Sequence, residues 1–211
     1  INVPERKIWT AEDPVEITQP GLRQVQVNPK IGWTFAKALR AFLRADPDVI
    51  MVGEMRDEET ASMGIEASLT GHLVLSTLHT NDAPSAISRL QELGIAYYLI
   101  KATLLGVMAQ RLVRLLCPRC KRTTGGNDTE AIGCAECRDS GYRGRAGVYE
   151  IMQLSDSLKA FITPDTDLTA IRRQAFKEGM RSLRLSGAQK VAAGLTTVEE
   201  VLRVTPQSEQ K

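Results

Sequence analysis

The chain has 211 residues, 43% of them apolar and 25% charged, an ordinary globular composition with enough chain for a real core. A formal net charge of +2 is too small to argue for nucleic acid. No apolar run approaches the ~18 residues that a membrane span requires, and no signal-peptide pattern opens the sequence.

In chain order, Lys7–Ala11 is predicted as a short strand leading to Glu12-Asp13-Pro14, where proline stops it and turns the chain. Arg23–Val27 alternates as a second strand, and Asn28-Pro29 with Gly32 marks a loop. Thr34 can cap a helix that carries Phe35, Leu39, Phe42 and Leu43 on one side and Lys37, Arg40 and Arg44 on another. Asp46-Pro47 ends it, and the apolar strand Val49–Val52 runs straight into Gly53-Glu54. Asp57 caps the next helix, with Glu58 and Glu59 well placed in its first turn. Gly71 closes that helix, and the strand Leu73–Leu78 follows, framed by His72 and His79.

Helical periodicity is read over Ser85–Leu93 and again over Tyr97–Leu116. The Gly- and Thr-rich stretch Thr123–Thr129 reads as a mobile loop, and Ala146–Met152 as the last strand. Three short helices are expected beyond it: about Asp167–Glu178, Ser182–Ala193, and one opening at Thr197-Val198-Glu199-Glu200, which fits a capping box. There are no internal repeats.

This alternation predicts an α/β fold with a parallel sheet, in which ligands gather outside the carboxyl ends of the strands. Glu12, Asp13 and Glu16 cluster where one strand ends, Glu54 ends another, and Ser76-Thr77-Leu78-His79 edges a third. An acid at such an end is where a nucleotide-hydrolysing enzyme holds magnesium or its attacking water. The sequence nevertheless contains no G-x-x-x-x-G-K-[ST] phosphate loop, so only half of a nucleotide site is visible. His79 can donate a hydrogen bond to a γ-phosphate, with His72 as a weaker candidate for the same role. Both histidines are expected on the rim that holds Glu54; the competing reading is that each ties two strands together. Arg23, Arg40, Arg44 and Arg56 are candidates to stabilise charge on a transferring phosphoryl group. Against that, Lys37, Arg40 and Arg44 also suit an ordinary solvated helix face.

Cys117-Pro-Arg-Cys120 and Cys134-Ala-Glu-Cys137 form two C-x-x-C pairs. Two such knuckles supply the four thiolates of a closed tetrahedral zinc site, structural rather than catalytic. Arg119, Lys121 and Arg122 would offset its negative charge. Thiol redox chemistry is the alternative, without a thioredoxin-like context to support it.

Three stretches resemble, in order, the motifs of the secretion ATPase family, the motors of bacterial type II secretion and type IV pilus assembly, and two further segments continue the match. TAEDPVE (Thr10–Glu16) resembles its aspartate box, VIMVGEMRD (Val49–Asp57) its Walker B segment and TGHLVLSTLHTND (Thr70–Asp82) its histidine box; the tetracysteine segment and GYRGRAGVYE (Gly141–Glu150) complete the match. The resemblance implies part of a RecA-like ATPase core over 1–116, a zinc-binding subdomain over 117–140, and a strand plus C-terminal helices over 141–211. It implies ATP and Mg2+ as cofactors, Glu12 as general base or water-orienting group, and Glu54 as the Walker B glutamate. Because Gly53 stands before Glu54, an aspartate ligating magnesium there is not expected.

The family further implies a homo-hexamer, cytoplasmic and peripheral to the inner membrane, with platform or assembly proteins as partners. Its phosphate loop lies upstream of the aspartate box, so the chain is expected to be a C-terminal piece, inactive alone. The tetracysteine segment puts it on the assembly rather than the retraction side. The alternative is a zinc-stabilised interaction module that docks an inner-membrane platform protein without hydrolysis. Nucleic-acid binding is not expected, since no aromatic residue lies among the cations of Arg111–Arg122 to stack bases.

Overall fold

In the computed structural model of the chain, which describes residues 1–125 and 128–206, four short strands lie parallel in the order β2-β1-β3-β4. They are β1 (Ile8–Glu12), β2 (Leu22–Gln26), β3 (Val49–Val52) and β4 (Leu73–Ser76). Ala11 pairs with Val25 and Val52, and Val52 with Ser76, so the carboxyl ends of the strands finish nearly level.

Helices α1 (Phe35–Phe42) and α2 (Glu58–Leu69) begin where side-chain caps are available. Thr34 accepts from the Lys37 amide at 3.4 Å and Asp57 from the Thr60 amide at 2.8 Å, each satisfying an otherwise orphaned donor. Leu39 and Phe42 of α1 and Ala67 of α2 join Ala11, Ile50 and Val52 in one buried cluster, with the Trp9 ring 5.0 Å from Phe42. Burying a side chain such as Phe42 stabilises by roughly 2–3 kcal/mol, which is what secures the helix layer to this sheet face. On the other face of β4, Leu73 and Leu75 remain 37% and 41% exposed. Three further helices complete this unit, α3 (Ser85–Glu92), α4 (Tyr97–Thr103) and the single-turn α5 (Asp156–Lys159). Gln91 donates to the Thr163 carbonyl oxygen at 2.8 Å, tying α3 to the segment after α5.

A second compact unit comprises Asn81–Pro84, Gly106–Ser155 and the chain from Thr169 onward. It contains β5 (Gly106–Leu116), β6 (Arg122–Gly125), β7 (Asp128–Glu130) and β8 (Tyr142–Gln153), then α6 (Leu168–Lys177), α7 (Leu183–Ala192) and α8 (Val198–Val204). β5 pairs antiparallel with β8, Val113 opposite Ala146 and Arg111 opposite Val148.

Two expectations are corrected here. The helix expected to run from Tyr97 to Leu116 ends at Thr103, and Gly106–Leu116 is a strand. Its buried or half-buried residues Val107, Ala109, Arg111 and Val113 alternate with exposed Met108, Gln110, Leu112 and Arg114, a period of two. Met108 and Leu112 are apolar on the solvent side, and that false i, i+4 pair mimics a helix. Likewise, the expected loop at Thr123–Thr129 is an antiparallel hairpin of β6 and β7; residues 126–127 lie outside the described residues.

The core of this unit is Val113, Val148, Leu183 and Val201. Helices α7 and α8 approach so closely that a Cβ on Gly187 would sit 2.4 Å from Val201 Cγ1, so only glycine fits there. Beside Val201, Glu200 is 1% exposed and accepts from the Arg114 amide (2.9 Å), Arg114 Nη2 (2.7 Å) and Arg203 Nη2 (2.7 Å). The Arg114 guanidinium also lies 4.1 Å over the Tyr142 ring, whose hydroxyl bonds Thr197 Oγ1 at 2.8 Å.

Burial alone would raise the Glu200 pKa, but hydrogen bonds from Arg203 and Arg114 outweigh it and hold the group at about 2. Because the folded value lies below the ordinary carboxylate value of 4.5, its stabilisation is full above that value and is lost as pH falls toward 2. The contribution is of the order of 3 kcal/mol. Glu200→Gln should therefore flatten the fall in unfolding free energy between about pH 6 and pH 3. Urea titrations of both proteins across that range test it, and identical slopes would refute it.

Candidate active site and metal centre

The level strand ends bring Glu12, Glu54 and His79 to one rim of the parallel sheet. The ladder continues past the strands: Gly53 N–H donates to the Ala11 carbonyl oxygen (2.8 Å) and Met55 N–H to that of Thr77 (3.1 Å). Thr77 Oγ1 donates to the Gly53 carbonyl oxygen at 2.5 Å, so the end of β4 is laced to the end of β3. A Cβ on Gly53 would lie 3.1 Å from the Ala11 carbonyl oxygen and 3.5 Å from Glu12 Cα. A side chain at this position would press on the β1 backbone, which would have to give by a few tenths of an ångström, so the glycine before Glu54 suits the close pairing.

Glu54 is only 8% exposed, yet its partners reach in from solvent. Arg56 Nε donates to one carboxylate oxygen, and His79 Nε2 lies against the other, from side chains that are 65% and 81% exposed. The oxygen facing His79 has no hydrogen-bond partner among the described residues, a costly state for a buried carboxylate. Since both neighbouring side chains are flexible and solvated, a water can take the place of either. Glu12 is half-buried, and its Oε1 accepts from Thr10 Oγ1 (2.5 Å) and Gln24 Nε2 (3.0 Å). Thr10 and Glu12 are two residues apart on one strand and so share a face.

The remaining candidates are dispersed. Asp13 and Glu16 are exposed on the turn after β1. Arg23 stacks 5.9 Å over Trp9, Arg40 pairs with Glu59 at 3.3 Å on the helix layer, and Arg44 is exposed beyond α1. His72 is a correction: it precedes β4, at the opposite end of the strand from His79, rather than sharing the rim with Glu54. A four-residue strand separates its ends by roughly 13 Å. There His72 Nδ1 bonds the Ala67 carbonyl oxygen (3.0 Å) and Thr70 Oγ1 (3.1 Å) at the end of α2. Thr77, which helps hold the rim in place, lies in the polar edge read from sequence, whereas Thr10 and Gln24 were given no role there. Only the two-residue spacing of Thr10 and Glu12 hints at either of these two.

In the second unit, all four cysteine Sγ atoms lie within 4.8 Å of one another, an arrangement that could hold a metal ion. Cys117 to Cys134 is 3.9 Å, Cys120 to Cys137 is 3.7 Å and Cys134 to Cys137 is 3.8 Å. Backbone N–H groups of Cys134 (3.2 Å) and Gly141 (3.3 Å) donate to Cys137 Sγ. Burial opposes ionisation of both Cys120 and Cys137. Cys120 is pushed up to about 12, whereas those two amides bring Cys137 down to about 7. Four thiolates therefore need a cation among them to ionise together near neutrality. Of the neighbouring cations, Arg119 pairs with Glu136 (3.0 Å), as does Arg143 (3.2 Å), and Lys121 donates to the Gly194 carbonyl oxygen (3.1 Å).

Comparison with known proteins matches residues 1–203 to the family model described as type II/IV secretion system protein. The type II secretion system protein HxcR of Pseudomonas aeruginosa is 50% identical, over 94% of this chain and 42% of its own length. The type IV pilus assembly ATPase TfpB of Acinetobacter baylyi is 47% identical, over 94% of this chain and 37% of its own. The chain thus spans about two fifths of these relatives. Among solved structures, the pilus retraction motor PilT with bound ADP superposes with a TM-score of 0.73 at 28% identity, covering 98% of this chain and 54% of that one. The fold is the expected one, an α/β portion of a RecA-like ATPase core accompanied by a tetracysteine cluster.

The cysteine geometry makes a direct prediction. Purified chain should carry one thiophilic divalent ion, released when a thiol-modifying mercurial is titrated in, and Cys117→Ser should carry little or none. Elemental analysis of both proteins checks this; a metal-free parent chain that is folded in reducing buffer contradicts it.

Proposed function

The chain belongs to the type II/IV secretion system protein family, and we propose that it is the ATP-hydrolysing, zinc-bearing part of a hexameric motor for type II protein secretion or type IV pilus assembly. The motor would work at the cytoplasmic face of the inner membrane against platform or assembly proteins there. The observation that carries this reading is the buried Glu54 carboxylate at the end of a central parallel strand, with one oxygen bonded by the exposed Arg56 and the other left without a hydrogen-bond partner beside the exposed His79.

Phosphoryl transfer to water asks the protein chiefly for positioning and for charge stabilisation. Glu54 is suited to orient the attacking water or to bond a water in the magnesium shell. Magnesium, when bound with ATP, neutralises charge developing on the phosphates. Glu12, on the next strand end, is suited to accept the proton of that water, and its bonds to Thr10 and Gln24 aim it. His79 can leave Glu54 and donate to the γ-phosphate, which makes it a reporter of nucleotide state. Arg56 stays beside Glu54. Arg23, Arg40 and Arg44 lie away from Glu54, and their part would be to complete a neighbouring subunit's site, with Asp13, Glu16 and His72 in supporting roles at most.

The phosphate loop would come from the larger protein, of which this chain covers about two fifths if its length matches that of its relatives. Two features of β4 suit a larger core: its outer edge pairs with no strand among the described residues and can take one more parallel strand, and the exposed Leu73 and Leu75 suit a covering layer on its other face. Zinc is the metal that fits the cysteines. Four thiolates at ~2.3 Å around a tetrahedral ion lie about 3.8 Å apart, in line with the 3.7–3.9 Å of three cysteine pairs, all four sulfurs lying within 4.8 Å of one another. A four-thiolate ion has no open position, so its work is to hold the end of the β5–β8 pair together.

In the full-length protein, Glu54→Gln should lower ATP turnover by on the order of 100-fold or more while nucleotide still binds. Steady-state hydrolysis beside a fluorescent-nucleotide binding titration measures both, and undiminished turnover by the variant would defeat the assignment.

A further inference from the structure

One face of the first two strands is polar. Thr10 lies opposite Gln24 and Glu12 opposite Gln26, while Ala11 and Val25 between them join the buried cluster with α1. Side chains alternate along a strand, so Thr10, Glu12, Gln24 and Gln26 share the face opposite that cluster. Gln24 uses its whole amide there. Nε2 donates to Glu12 Oε1 (3.0 Å) and to the Ile17 carbonyl oxygen (3.0 Å), and Oε1 accepts from the Gln19 amide (2.6 Å). Two acceptors meet the nitrogen and one donor meets the oxygen, so the amide fits in one orientation only.

Ile17 and Gln19 belong to the loop 13–21 between β1 and β2, in the same compact unit as Glu12. Apart from half-buried Val15 every residue of that loop is exposed, so it contributes almost nothing to the core. Its other side-chain bonds are the Val15 amide to Gln26 Oε1 (3.4 Å) and Asn2 Nδ2 to the Pro20 carbonyl oxygen (2.9 Å). A segment seated by solvent-accessible hydrogen bonds with little apolar burial opens at low cost. Gln24 thus joins a weakly held loop to a rim carboxylate. The two bonds that Glu12 receives, from Thr10 and Gln24, both go to Oε1; Oε2 accepts none among the described residues. One oxygen is aimed by the pair, and the other is open to take a proton from water.

We propose that Gln24 is a positioning residue for Glu12 and that it makes the aim of Glu12 depend on the loop. With 13–21 seated, Ile17 and Gln19 hold the Gln24 amide with Nε2 toward Glu12. With the loop open, the amide is free to turn and Glu12 loses one of its two bonds. Whatever displaces the loop then slows proton transfer without touching the nucleotide, a control built into the same unit as the rim. The inference rests on the reading of Glu12 as the group that accepts the proton of the attacking water.

Steady-state ATP turnover by the full-length protein tests it. Gln24→Leu should lower kcat by on the order of 10- to 100-fold, the cost of misplacing one group in a site, with KM unchanged. Two polar variants divide the tasks of the amide, and their comparison serves if Gln24→Leu does not fold. Gln24→Lys keeps a donor for Glu12 but no acceptor for the Gln19 amide, and should recover most of kcat. Gln24→Glu keeps the acceptor but has no donor, and should stay as slow as Gln24→Leu. Gln19→Pro removes the amide hydrogen that the loop gives to Gln24; it should slow the parent and cost nothing further beside Gln24→Leu. If Glu12→Gln turns over like the parent, the reading of Glu12 fails and this inference with it. If Glu12→Gln is slow but Gln24→Glu recovers where Gln24→Lys does not, the reading of Glu12 stands and Gln24 merely seats the loop. Losses of Gln19→Pro and Gln24→Leu that multiply would likewise overturn the dependence on the loop.

Discussion

One register of parallel pairing governs the first unit. Ala11 lies opposite both Val25 and Val52, and Val52 opposite Ser76, so three strands finish together and present Glu12, Glu54 and the Thr77–His79 edge on one side. Because side chains alternate along a strand, a slip of one residue would turn Ile50 and Val52 away from the helix layer and expel Leu39 and Phe42 from their seats. The hydrophobic cluster thus enforces the register, and the register sets the rim. Gly53 tightens the constraint, since its lack of a side chain lets β1 and β3 stay paired past their last regular residue.

The second unit meets a different difficulty. A two-stranded antiparallel pair is marginal by itself in water, and β5 with β8 has only α7 and α8 over its inner residues. Two polar devices compensate. Glu200 clamps Arg114 of β5 to α8, and the cysteines gather the chain on either side of the β6–β7 hairpin. The ion pair adds little by mere existence, because desolvation offsets much of its Coulomb energy. Its bond to the Arg114 amide does more, since it pins the helix to one residue of the strand.

What could be read from sequence was what carries a local signal. Strand β3, helix α2 with its Asp57 cap, the Thr197 cap and the cysteine pairs are each specified within a dozen residues or by fixed spacing. Strand β5 was misread because Met108 and Leu112 face solvent yet are apolar, so the binary pattern carried two periods at once. His72 was misplaced because flanking one strand says nothing about which end is which rim. Glu200 was read only as part of a capping box, and Glu150 was given no role of its own, for a deeper reason. The Ala83 amide that bonds Glu150 lies 67 residues away and Arg114, which bonds Glu200, 86 residues away; only Arg203 lies in the same local window as its acid.

Those two acids and Glu54 are the buried carboxylates among the described residues, and their partners tell them apart. Glu200 is bonded by two arginines and by the Arg114 backbone amide, and the amide bond ties it to β5. Glu150 is bonded to backbone amides, so its charge is spent on holding chain in place. Glu54 alone meets only exposed, flexible side chains, and one of its oxygens, the one facing His79, has no hydrogen-bond partner among the described residues. Burial makes its carboxylate demanding, and exposure makes its donors replaceable; a group that must always be bonded, but not always by the same partner, is suited to handle a water molecule. That difference in partners, rather than burial itself, is the physical ground for assigning chemistry to Glu54 and architecture to the other two.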